Sequence, residues 1–538
     1  VRCVHTVIDC AILSQSVLFC ILLLQNNVDV SHLPVEMANN GLLFISNATK
    51  AHSVCLKASN FVRKVLYVNI KDNPDVSLPV ISKQIVNVYS KATSKCNNLD
   101  VRLMLKPSSE ASKINTYHPI DVILYDSELV KEAERLKQSV ESLRNDCKSH
   151  SIDITSDPIP TDTVKTYDHV ALGGTFDRLH NGHKILLSEA ALRSTRHVTV
   201  GVTDFVETYL SSFQLIEHRM KEVLNFLKDI NPDLEYNVFP LQDLYGPTKD
   251  DPNIQLLIVS EETMKGGIKI NEKRKENGLK PLDIHAIGLA EDSNPQRAEE
   301  EEHKVSSSNL RMRLLGTMLR IPPGRNPNIP DWPYVIGLAG GIASGKSSIA
   351  EKLKAKGAAI VNCDIIAHEL YKPGLQLNRT ISETFGDDVI TTAGEVDRKK
   401  LGQIVFSDSN KLNQLNNIIW PAILEEAQQR IKLLGQEGHK VVVMEAAVMI
   451  RAKWYDFCHQ LWSVIIPAEE AIKRLQKRNN LTEEEARQRV QAQPSNPEQI
   501  AAANVVFSPY WSYEYTQAQV DRAWASLMEF LNKRKSKY

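Results

Sequence analysis

The sequence predicts an α/β protein with doubly wound parallel sheets. Two short apolar runs, residues 169–172 and 334–339, each lead directly into a glycine-rich turn. The turns read GGTFDRLHNGH (residues 173–183) and GGIASGKS (residues 340–347), and each is followed by a helical pattern. A buried strand followed by a turn and a helix is the unit from which such sheets are built. At 538 residues the chain exceeds the size of one core, so we expect three domains.

Composition and charge are typical of a soluble globular protein that does not bind nucleic acid. Apolar residues make up 42% of the chain and charged residues 24%. The 64 lysines and arginines nearly balance the 65 aspartates and glutamates, and the formal charge of −1 argues against wholesale binding to a polyanion. The eight cysteines include no C-x-x-C pair, so neither a zinc site nor a disulfide framework is indicated. A reducing compartment fits best.

Residues 1–160 form the first predicted domain, an N-terminal α/β region. Its most apolar stretch, residues 11–24, has 14 residues, whereas a membrane-spanning helix needs roughly 20. Two interpretations stay open: a buried strand or helix, and a segment that targets an organelle or lies on a membrane surface. The second interpretation implies peripheral membrane association through this segment.

Strands and one helix are predicted in the rest of this region. Strand-like runs occupy residues 65–70, 100–105 and 120–125, and a helical pattern covers residues 128–143. No catalytic constellation is present among them. Residues 152–163 carry the prolines and hydroxyl side chains of a connector.

The second predicted domain, residues 164–320, begins with the turn at residues 173–183. Nucleotidyl transfer needs preplaced donors at such a turn, because the α-phosphoryl group develops charge in its transition state. His180 and His183 lie three apart at a helix start, and we expect both to face that phosphate, with Gly182 keeping the backbone close to the nucleotide. The alternative is that both histidines pack or bond locally. An H-x-G-H pair behind two glycines makes this alternative the less favoured one.

VSSSNLR, at residues 305–311, is the second polar cluster of this domain. It precedes a helix predicted over residues 309–319, and the serines at 306–308 are candidates to cap that helix. A phosphate at the helix start would gain from free N–H groups, and Arg311 and Arg313 would add positive charge. A plain helix cap explains the serines nearly as well.

The third predicted domain, residues 334–538, follows a proline-rich linker at residues 321–333. Its turn GGIASGKS fits the phosphate-binding pattern G-x-x-x-x-G-K-[ST] and lies between a strand and a helix, as that motif requires. Lys346 would reach the β- and γ-phosphates of a nucleotide, and Ser347 would ligate Mg²⁺. The alternative, an ordinary glycine-rich turn, is disfavoured by this context.

Two acidic residues at strand ends are further candidates. Asp364 follows a strand predicted over residues 358–363, where it would accept a hydroxyl proton or hold Mg²⁺ through water. Capping the next helix is the alternative for this residue. Glu445 ends a buried strand and is a weaker candidate for binding a magnesium-bound water.

Two basic helices are predicted further along the third domain. The second of them begins at a capping box formed by Thr482 and Glu485. Their arginines would close over ATP phosphates as a lid, or else lie on solvated helix faces. These arginines are Arg474, Arg478 and Arg489.

The second domain resembles the H-x-G-H nucleotidyltransferase superfamily, and more specifically the phosphopantetheine adenylyltransferases of the eukaryotic type. Besides the two polar clusters, the resemblance rests on DLYGP (residues 243–247), VSEETMKGG (residues 259–267) and INEKRKENGL (residues 270–279). It implies a Rossmann-like domain in which His183 stabilises the transferring phosphoryl group and His180 helps to hold ATP. The other ATP contacts that it implies are Gly173, Gly174, Thr175, Phe176, Ser307, Ser308 and Arg311.

The third domain resembles dephospho-CoA kinase, a P-loop kinase. The matching pieces are GLAGGIASGKSS, the Cys363–Asp364 pair, GEVDRKKLGQIVF and RLQKRNNLTEEEARQRVQAQ. The resemblance implies that Asp364 takes the proton from the ribose 3′-hydroxyl and that Arg478 belongs to the lid. Asn362 and Arg451 stand where bacterial members carry acids. The implied ATP-binding residues are Gly340, Gly341, Ile342, Ala343, Ser344, Gly345, Lys346, Ser347 and Ser348.

The two domains in this order resemble the bifunctional coenzyme A synthases. The resemblance implies that ATP adenylylates 4′-phosphopantetheine and that a second ATP phosphorylates the resulting dephospho-CoA, with Mg²⁺ as cofactor. We expect a cytoplasmic or mitochondrial location, in the matrix or at the outer membrane. Two other interpretations stay open: a nucleotidyltransferase fused to a kinase for another small substrate, such as a nicotinamide riboside derivative, and a nucleotide-regulated scaffold without turnover. A signalling GTPase is disfavoured, because the sequence has no N-K-x-D tetrapeptide.

Overall fold

The computed structural model describes residues 37–71, 78–95, 99–108, 113–154, 164–203, 214–288, 290–292, 294, 297–322, 329–406 and 408–535. These residues form three parallel sheets of five strands each, so the predicted α/β fold is confirmed. The chain divides into two compact units, residues 1–163 with 229–231, and residues 164–228 with 232–538. Among the described residues, no helix is both long and apolar enough to cross a bilayer. The apolar stretch at residues 11–24 lies outside them.

The first sheet belongs to the N-terminal region. Its strands are β1 (Ala38–Ile45), β2 (Val62–Lys71), β3 (Asp100–Ser108), β4 (Ile120–Asp126) and β5 (Leu143–Ile152). Its helices are α1 (Val54–Ala58), α2 (Leu78–Lys95) and α3 (Ala133–Gln138), with 3₁₀ turns at Ala48–Ser53 and Ser127–Glu132. The strand order is β3-β2-β1-β4-β5. The central strands are largely buried, in keeping with their apolar runs.

The three strands predicted in this region are present, but the helix predicted over residues 128–143 is shorter than expected. It follows a 3₁₀ turn and ends at Gln138. Ser139 closes it, because its hydroxyl donates to a carbonyl of the last turn (2.7 Å). Val140 then forms a bridge to Ile114. The apolar residues after Gln138 therefore belong to this bridge (Val140) and to the start of β5 (Leu143).

The second sheet carries the GGTFDRLHNGH turn. Its strands are β6 (Tyr167–Gly174), β7 (Ser194–Thr203), β8 (Glu235–Leu241), β9 (Leu256–Ser260) and β10 (Asp283–Ile287), in the order β10-β9-β6-β7-β8. Its helices are α4 (Asn181–Arg193), α5 (Ile216–Ile230), α6 (Met264–Glu276) and α7 (Ser307–Leu314), with 3₁₀ turns at Gly246–Lys249 and Glu261–Thr263. Because β6 is central, the turn lies at the carboxyl ends of the strands, where such sheets bind ligands.

The third sheet carries the GGIASGKS loop. Its strands are β11 (Tyr334–Gly340), β12 (Ala359–Asn362), β13 (Val441–Glu445), β14 (Gln460–Val464) and β15 (Val505–Phe507), in the order β12-β13-β11-β14-β15. Its helices are α8 (Lys346–Ala355), α9 (Cys363–Leu370), α10 (Gln376–Phe385), α11 (Arg398–Phe406), α12 (Ser409–Gln436), α13 (Ala468–Asn479), α14 (Glu483–Gln491), α15 (Asn496–Ala502) and α16 (Tyr513–Lys535), with 3₁₀ turns at Asp387–Val389 and Trp454–Phe457. The central strand β11 is buried along its whole length.

Two local predictions for the third domain have different outcomes. The capping box of Thr482 and Glu485 at the start of α14 is confirmed. The strand predicted over residues 358–363 is one residue shorter at each end, because Asn362 caps α9 and Cys363 already belongs to that helix.

The helix predicted over residues 309–319 ends at Leu314, where the second domain meets the third. Gly316 has a φ of +73° and donates its N–H to the carbonyl of Val506 in β15 (2.8 Å). Leu319 likewise donates its N–H to Asn504 (2.8 Å). The chain therefore leaves the helix to pair with the edge of the third sheet. Within the linker that follows, residues 323–328 lie outside the described residues.

We expect Gly316→Ala to lower the free energy of unfolding by at least about 2 kcal/mol. A side chain at this φ is strained by about 1–3 kcal/mol, and its Cβ would also overlap the backbone carbonyl of Gln519. Urea unfolding followed by circular dichroism measures the loss.

Gly278→Ala is the matched control for this prediction. Gly278 has nearly the same φ, +72°, but a Cβ there would meet no atom within 4 Å. It should cost only about 1 kcal/mol, from backbone conformation alone. Equal losses for the two variants would show that close packing at this junction does not limit stability.

Candidate active sites

The first candidate site lies where β6 ends and α4 begins. The rings of His180 and His183 stack with their centroids 3.7 Å apart and their planes 17° apart. His180 caps α4, because its Nδ1 accepts the backbone N–H of His183 (3.3 Å). A Cβ at Gly182 would come within 3.2 Å of the His180 ring. This glycine therefore leaves room for the stacked imidazoles.

The start of α7 faces the same turn. Ser306 caps this helix, since its hydroxyl accepts a backbone N–H of the first turn (3.2 Å). Ser307 is 8% exposed and donates its hydroxyl to the carbonyl of Asp177 (3.0 Å). The same hydroxyl lies 3.4 Å from His180 Nε2 and from Thr175 Oγ1. The structure thus brings together two polar clusters that are some 130 residues apart in the chain.

Arg311 lies in this site and is paired with Asp177. The two atoms Nη1 and Oδ2 are 2.6 Å apart, and the side chains are only 7% and 3% exposed. Arg311 also donates to the hydroxyl of Ser308 (3.2 Å), but its Nε and the Oδ1 of Asp177 have no hydrogen-bond partner among the described residues. Such buried polar atoms favour a polar ligand. Arg313 pairs elsewhere, with Asp292 (2.5 Å).

Both histidines are neutral at pH 7. Burial, helped by the positive charges of Lys184 and Arg311, lowers the pKa of His180 to about 3. Burial and the neighbouring His180 also lower the pKa of His183 well below its ordinary value. The Nδ1 of His183 is buried without a hydrogen-bond partner among the described residues. A neutral imidazole supplies one N–H donor, which suits a phosphate oxygen.

The backbone ahead of the histidines adopts unusual angles. Phe176 and Arg178 have φ values of +44° and +51°, which residues with side chains rarely adopt. Phe176 is 1% exposed, and its ring centroid lies 5.1 Å from that of His183. A Cβ at Gly174 would lie 3.3 Å from the Phe176 ring, whereas Gly173 is exposed. Strain of this kind is common at ligand-binding turns.

The second candidate site is the loop between β11 and α8. Gly345, with a φ of +89°, caps α8, and Ala343 has a φ of +60°. A Cβ at Gly340 would lie 2.7 Å from the Ser344 hydroxyl and 3.1 Å from the carbonyl of Val464, so only glycine fits there. Ser344 is 2% exposed, and its hydroxyl has no partner among the described residues. The loop therefore has the close backbone approach that phosphate binding requires.

A glutamine beyond the basic helices contacts this loop. Gln493 accepts the N–H of Ile342 through its Oε1 (2.5 Å), and a Cβ at Gly341 would lie 3.3 Å from the same oxygen. Ser347 and Ser348, at the other end of the loop, have exposed side chains. Sequence patterns do not predict this contact of Gln493, because 151 residues separate the two partners.

Glu445 joins the loop to the neighbouring strand. It is 2% exposed, and its Oε1 accepts the Lys346 ammonium (2.6 Å) and the Ser347 hydroxyl (2.8 Å). Its Oε2 accepts the side-chain amide of Asn362 (2.9 Å). The side-chain oxygen of Asn362, Oδ1, accepts the backbone N–H of Asp364 (3.0 Å). Hydrogen bonds therefore link the lysine, the buried carboxylate and the helix that carries Asp364.

Asp364 lies beside the loop and remains open to solvent. Its side chain is 59% exposed, and its Oδ2 is 3.8 Å from Lys346 Nζ. The alternative that Asp364 caps the next helix is wrong, because Asn362 is the capping residue. The carboxylate of Asp364 is thus available to a substrate hydroxyl.

The three candidate lid arginines occupy different surroundings. Arg474 lies near the glycine-rich loop, where it donates to the carbonyl of Pro509 (3.0 Å). A Cβ at Gly345 would be 3.9 Å from its Nη1. Arg478 and Arg489 have exposed side chains. Among the three, the structure therefore brings Arg474 to the loop.

Two family models match the chain. Residues 334–509 match the dephospho-CoA kinase model, and residues 171–313 match the cytidylyltransferase-like model. The dephospho-CoA kinase of Carboxydothermus hydrogenoformans is 38% identical over 186 residues, which are 35% of this chain and 90% of that protein. That of Geobacter sulfurreducens is 36% identical over 191 residues, 36% of this chain and 97% of that protein. The solved dephospho-CoA kinase from Campylobacter jejuni is 23% identical, with a TM-score of 0.29, over 37% of this chain and 98% of its own.

The matched ranges contain both candidate sites. The kinase model spans the glycine-rich loop, Asp364 and Glu445, and the cytidylyltransferase-like model spans the stacked histidines and the start of α7. The predicted order of the two domains is confirmed. The chain therefore belongs to the dephospho-CoA kinase family, and a cytidylyltransferase-like domain precedes its kinase domain in the same polypeptide.

Proposed function

We propose that the chain catalyses the last two steps of coenzyme A synthesis. In the first, the phosphate of 4′-phosphopantetheine attacks the α-phosphorus of ATP, giving dephospho-CoA and diphosphate. In the second, ATP phosphorylates the ribose 3′-hydroxyl of dephospho-CoA. The proposal depends on one observation: a stacked imidazole pair at a helix start, and a phosphate loop with an open carboxylate 3.8 Å from its lysine, occur in one chain.

Adenylyl transfer at the first site needs positioned donors and no covalent intermediate. Negative charge grows on the α-phosphoryl oxygens as diphosphate leaves, so a neutral N–H from His183 lowers the barrier. His180, fixed as the cap of α4, would help to hold the ATP phosphates. The serine-rich start of α7 and Arg311 would take the outer phosphates. Residues 173–176 would lie against the nucleotide.

Phosphoryl transfer at the second site begins with ATP on the loop. The Lys346 ammonium would leave Glu445 and pair with the β- and γ-phosphates. Asp364, exposed beside the loop, is placed to accept the proton of the ribose 3′-hydroxyl. Arg474 and the exposed Arg478 would close over the phosphates and exclude water.

Mg²⁺ fits the residues of the second site. The Ser347 hydroxyl and the Glu445 carboxylate meet at 2.8 Å, and Mg²⁺ in such sites takes a hydroxyl, a carboxylate and phosphate oxygens as ligands. An ion held by Ser347 and Glu445 would supply positive charge to the β- and γ-phosphate oxygens. The chain's own part is to fix these ligands, since Asn362 holds the second oxygen of Glu445 (2.9 Å).

Product analysis by mass spectrometry tests the proposal. The full chain is incubated with ATP, Mg²⁺ and 4′-phosphopantetheine, and dephospho-CoA and CoA should appear in that order, with diphosphate released in the first step. A parallel incubation replaces the acceptor with nicotinamide mononucleotide. Absence of both pantetheine products would reject the proposal, and turnover of the nicotinamide acceptor alone would favour the other nucleotidyltransferase–kinase fusion.

We expect Asp364→Asn to lower the kcat of the kinase step by about 10²-fold. General bases contribute about 10²–10⁴-fold, and the low end applies because phosphoryl transfer passes through a loose transition state. The KM for ATP should change little, because the loop is intact. Initial rates with supplied dephospho-CoA measure the effect, and Asp388→Asn, at an exposed aspartate of the same domain, is the control. A wild-type kcat in Asp364→Asn would show that Asp364 is not the general base of the kinase step.

A further inference from the structure

The N-terminal sheet has the same topology as the cytidylyltransferase-like sheet. In each domain the chain forms a strand–helix–strand–helix–strand unit and then a strand–helix–strand unit. If the five strands of each sheet are numbered 1 to 5 along the chain, both sheets have the order 3-2-1-4-5. A 3₁₀ turn follows the fourth strand in both, at Ser127–Glu132 and Glu261–Thr263. The first region is therefore built like a nucleotidyltransferase domain.

The strand order of the N-terminal sheet reverses between β1 and β4, the position where such sheets bind ligands. We name the residues there the switch-point cluster: Ser46, Lys50, Asp126 and Glu128. The ammonium of Lys50 lies 2.7 Å from Asp126 and 2.8 Å from Glu128, and the Ser46 hydroxyl donates to Asp126 (2.5 Å). The Lys50 and Asp126 side chains are 6% and 0% exposed, whereas Glu128 is 64% exposed. A buried ion pair with an open acidic edge thus occupies the crevice.

This cluster repeats the arrangement at the kinase phosphate loop. There, Lys346 and Ser347 both bond to Glu445, at 2.6 and 2.8 Å. The corresponding lysine and serine distances in the switch-point cluster are 2.7 and 2.5 Å. In both places the lysine and serine follow one strand, and the carboxylate ends the adjacent parallel strand. In both sheets, therefore, the same three groups meet at the carboxyl ends of two adjacent parallel strands.

The charge of the cluster selects its ligand. Burial opposes ionisation, but hydrogen bonds from Lys50 and Ser46 lower the pKa of Asp126, and the two carboxylates raise the pKa of Lys50. One ammonium and two carboxylates give a net charge of −1, which repels a free anion. Mg²⁺ reverses this, because one or two carboxylates and a hydroxyl ligate it readily, and the ammonium then pairs with a phosphate oxygen.

We propose that the switch-point cluster binds a magnesium-bound phosphate group and does not transfer it. The segment after β1 reads SNATKAHS and holds a single histidine, so it lacks the H-x-G-H pair of the second domain. Two molecules of the proposed reactions carry such a phosphate group: ATP, through its triphosphate, and CoA, through its phosphates. The N-terminal domain is then a third ligand-binding domain, separate from both catalytic ones.

Counting bound ligands on the full chain tests this proposal. Equilibrium dialysis is done with labelled MgATP, and separately with labelled CoA and Mg²⁺. With at least one of these ligands, the wild type should bind one equivalent more than Lys50→Met/Asp126→Asn. This double variant removes a positive and a negative charge together, so it leaves no buried ion unpaired. Lys64→Met, at an exposed lysine of β2, is the matched control and should bind as the wild type does. The ligand whose stoichiometry falls identifies the source of the phosphate.

Ser46→Ala gives an independent measurement if the double variant unfolds. It removes only a hydroxyl, and we expect about tenfold weaker binding at the extra site with an unchanged unfolding transition. Equal stoichiometry in the wild type and a folded double variant, or unchanged affinity in Ser46→Ala, would overturn the proposal and leave a structural ion pair. Binding of the extra equivalent without Mg²⁺ would overturn it too. None of these outcomes bears on the two catalytic steps, which are read from product formation.

Discussion

The Lys346→Ala variant should convert 4′-phosphopantetheine to dephospho-CoA and stop there. Lys346 lies in the glycine-rich loop after β11, is 9% exposed and has its ammonium group 2.6 Å from Glu445. In the kinase step this charge would lie against the β- and γ-phosphates, and removing one preorganised donor costs about 10²–10³ in kcat. We expect the upper value, since the lost donor is charged. Mass-resolved product analysis should show dephospho-CoA accumulating while CoA nearly disappears.

Lys354→Ala is the control for this variant, because Lys354 is an exposed lysine on the same helix. Lys346→Ala leaves Glu445 buried without its cation, which destabilises a protein. The adenylyl transfer rate of the same polypeptide and its urea unfolding curve show whether the chain stays folded. CoA formation at the wild-type rate would mean that this loop does not hold the phosphate donor.

The positions of the two candidate sites could be predicted from the sequence because each depends on one short stretch. A glycine-rich turn between a strand and a helix sets backbone angles and close approaches within a few residues. The positive φ angles at Ala343 and Gly345 and the stacked pair at His180 and His183 are local in this sense. Their geometry needs no knowledge of which strands lie side by side.

The partners of these residues could not be predicted, because they lie on distant strands and helices. Lys346 and Glu445 are 99 residues apart and meet only because β11 and β13 are neighbours in the sheet. Asp177 and Arg311 are 134 residues apart. Periodicity finds strands but does not give their order. The sequence therefore makes Glu445 only a weak candidate and does not indicate Asp177.

The N-terminal region shows the same limit. Its strands were predicted, yet the crevice between β1 and β4 depends on the strand order. Ser46 and Asp126 are 80 residues apart in the chain, and only the pairing of these two strands brings them together. Because the sequence does not reveal this pairing, it indicates no site in the region.

Two predicted helices were too long for a related reason. After Gln138 and after Leu314 the chain leaves the helix to pair with distant backbone, through the bridge of Val140 and through the N–H of Gly316. Tertiary pairing overrides helical periodicity at both ends. A glycine two residues after Leu314 is an ordinary helix-stop signal, so that end was open to prediction.

Replacing His183 with alanine should nearly abolish the conversion of 4′-phosphopantetheine to dephospho-CoA. The neutral imidazole stacks on His180 (3.7 Å) and has a buried Nδ1 without a partner among the described residues. Removing a donor that acts on developing phosphoryl charge costs about 10²–10³ in kcat. We expect the upper value, because the loss of the ring also removes the stacking partner that orients His180. Diphosphate release and dephospho-CoA formation measure the first step.

Three comparisons separate this catalytic role from a structural one. The variant should still phosphorylate supplied dephospho-CoA at the wild-type rate, since the glycine-rich loop that carries Lys346 belongs to another sheet. His218→Ala, at an exposed histidine on α5, should leave both steps unchanged. His183→Asn keeps an N–H donor and should recover part of the lost rate, which a residue that only packs would not predict. Dephospho-CoA formation at the wild-type rate in His183→Ala would mean that the charge is stabilised elsewhere, and the proposed adenylyl transfer would need another donor.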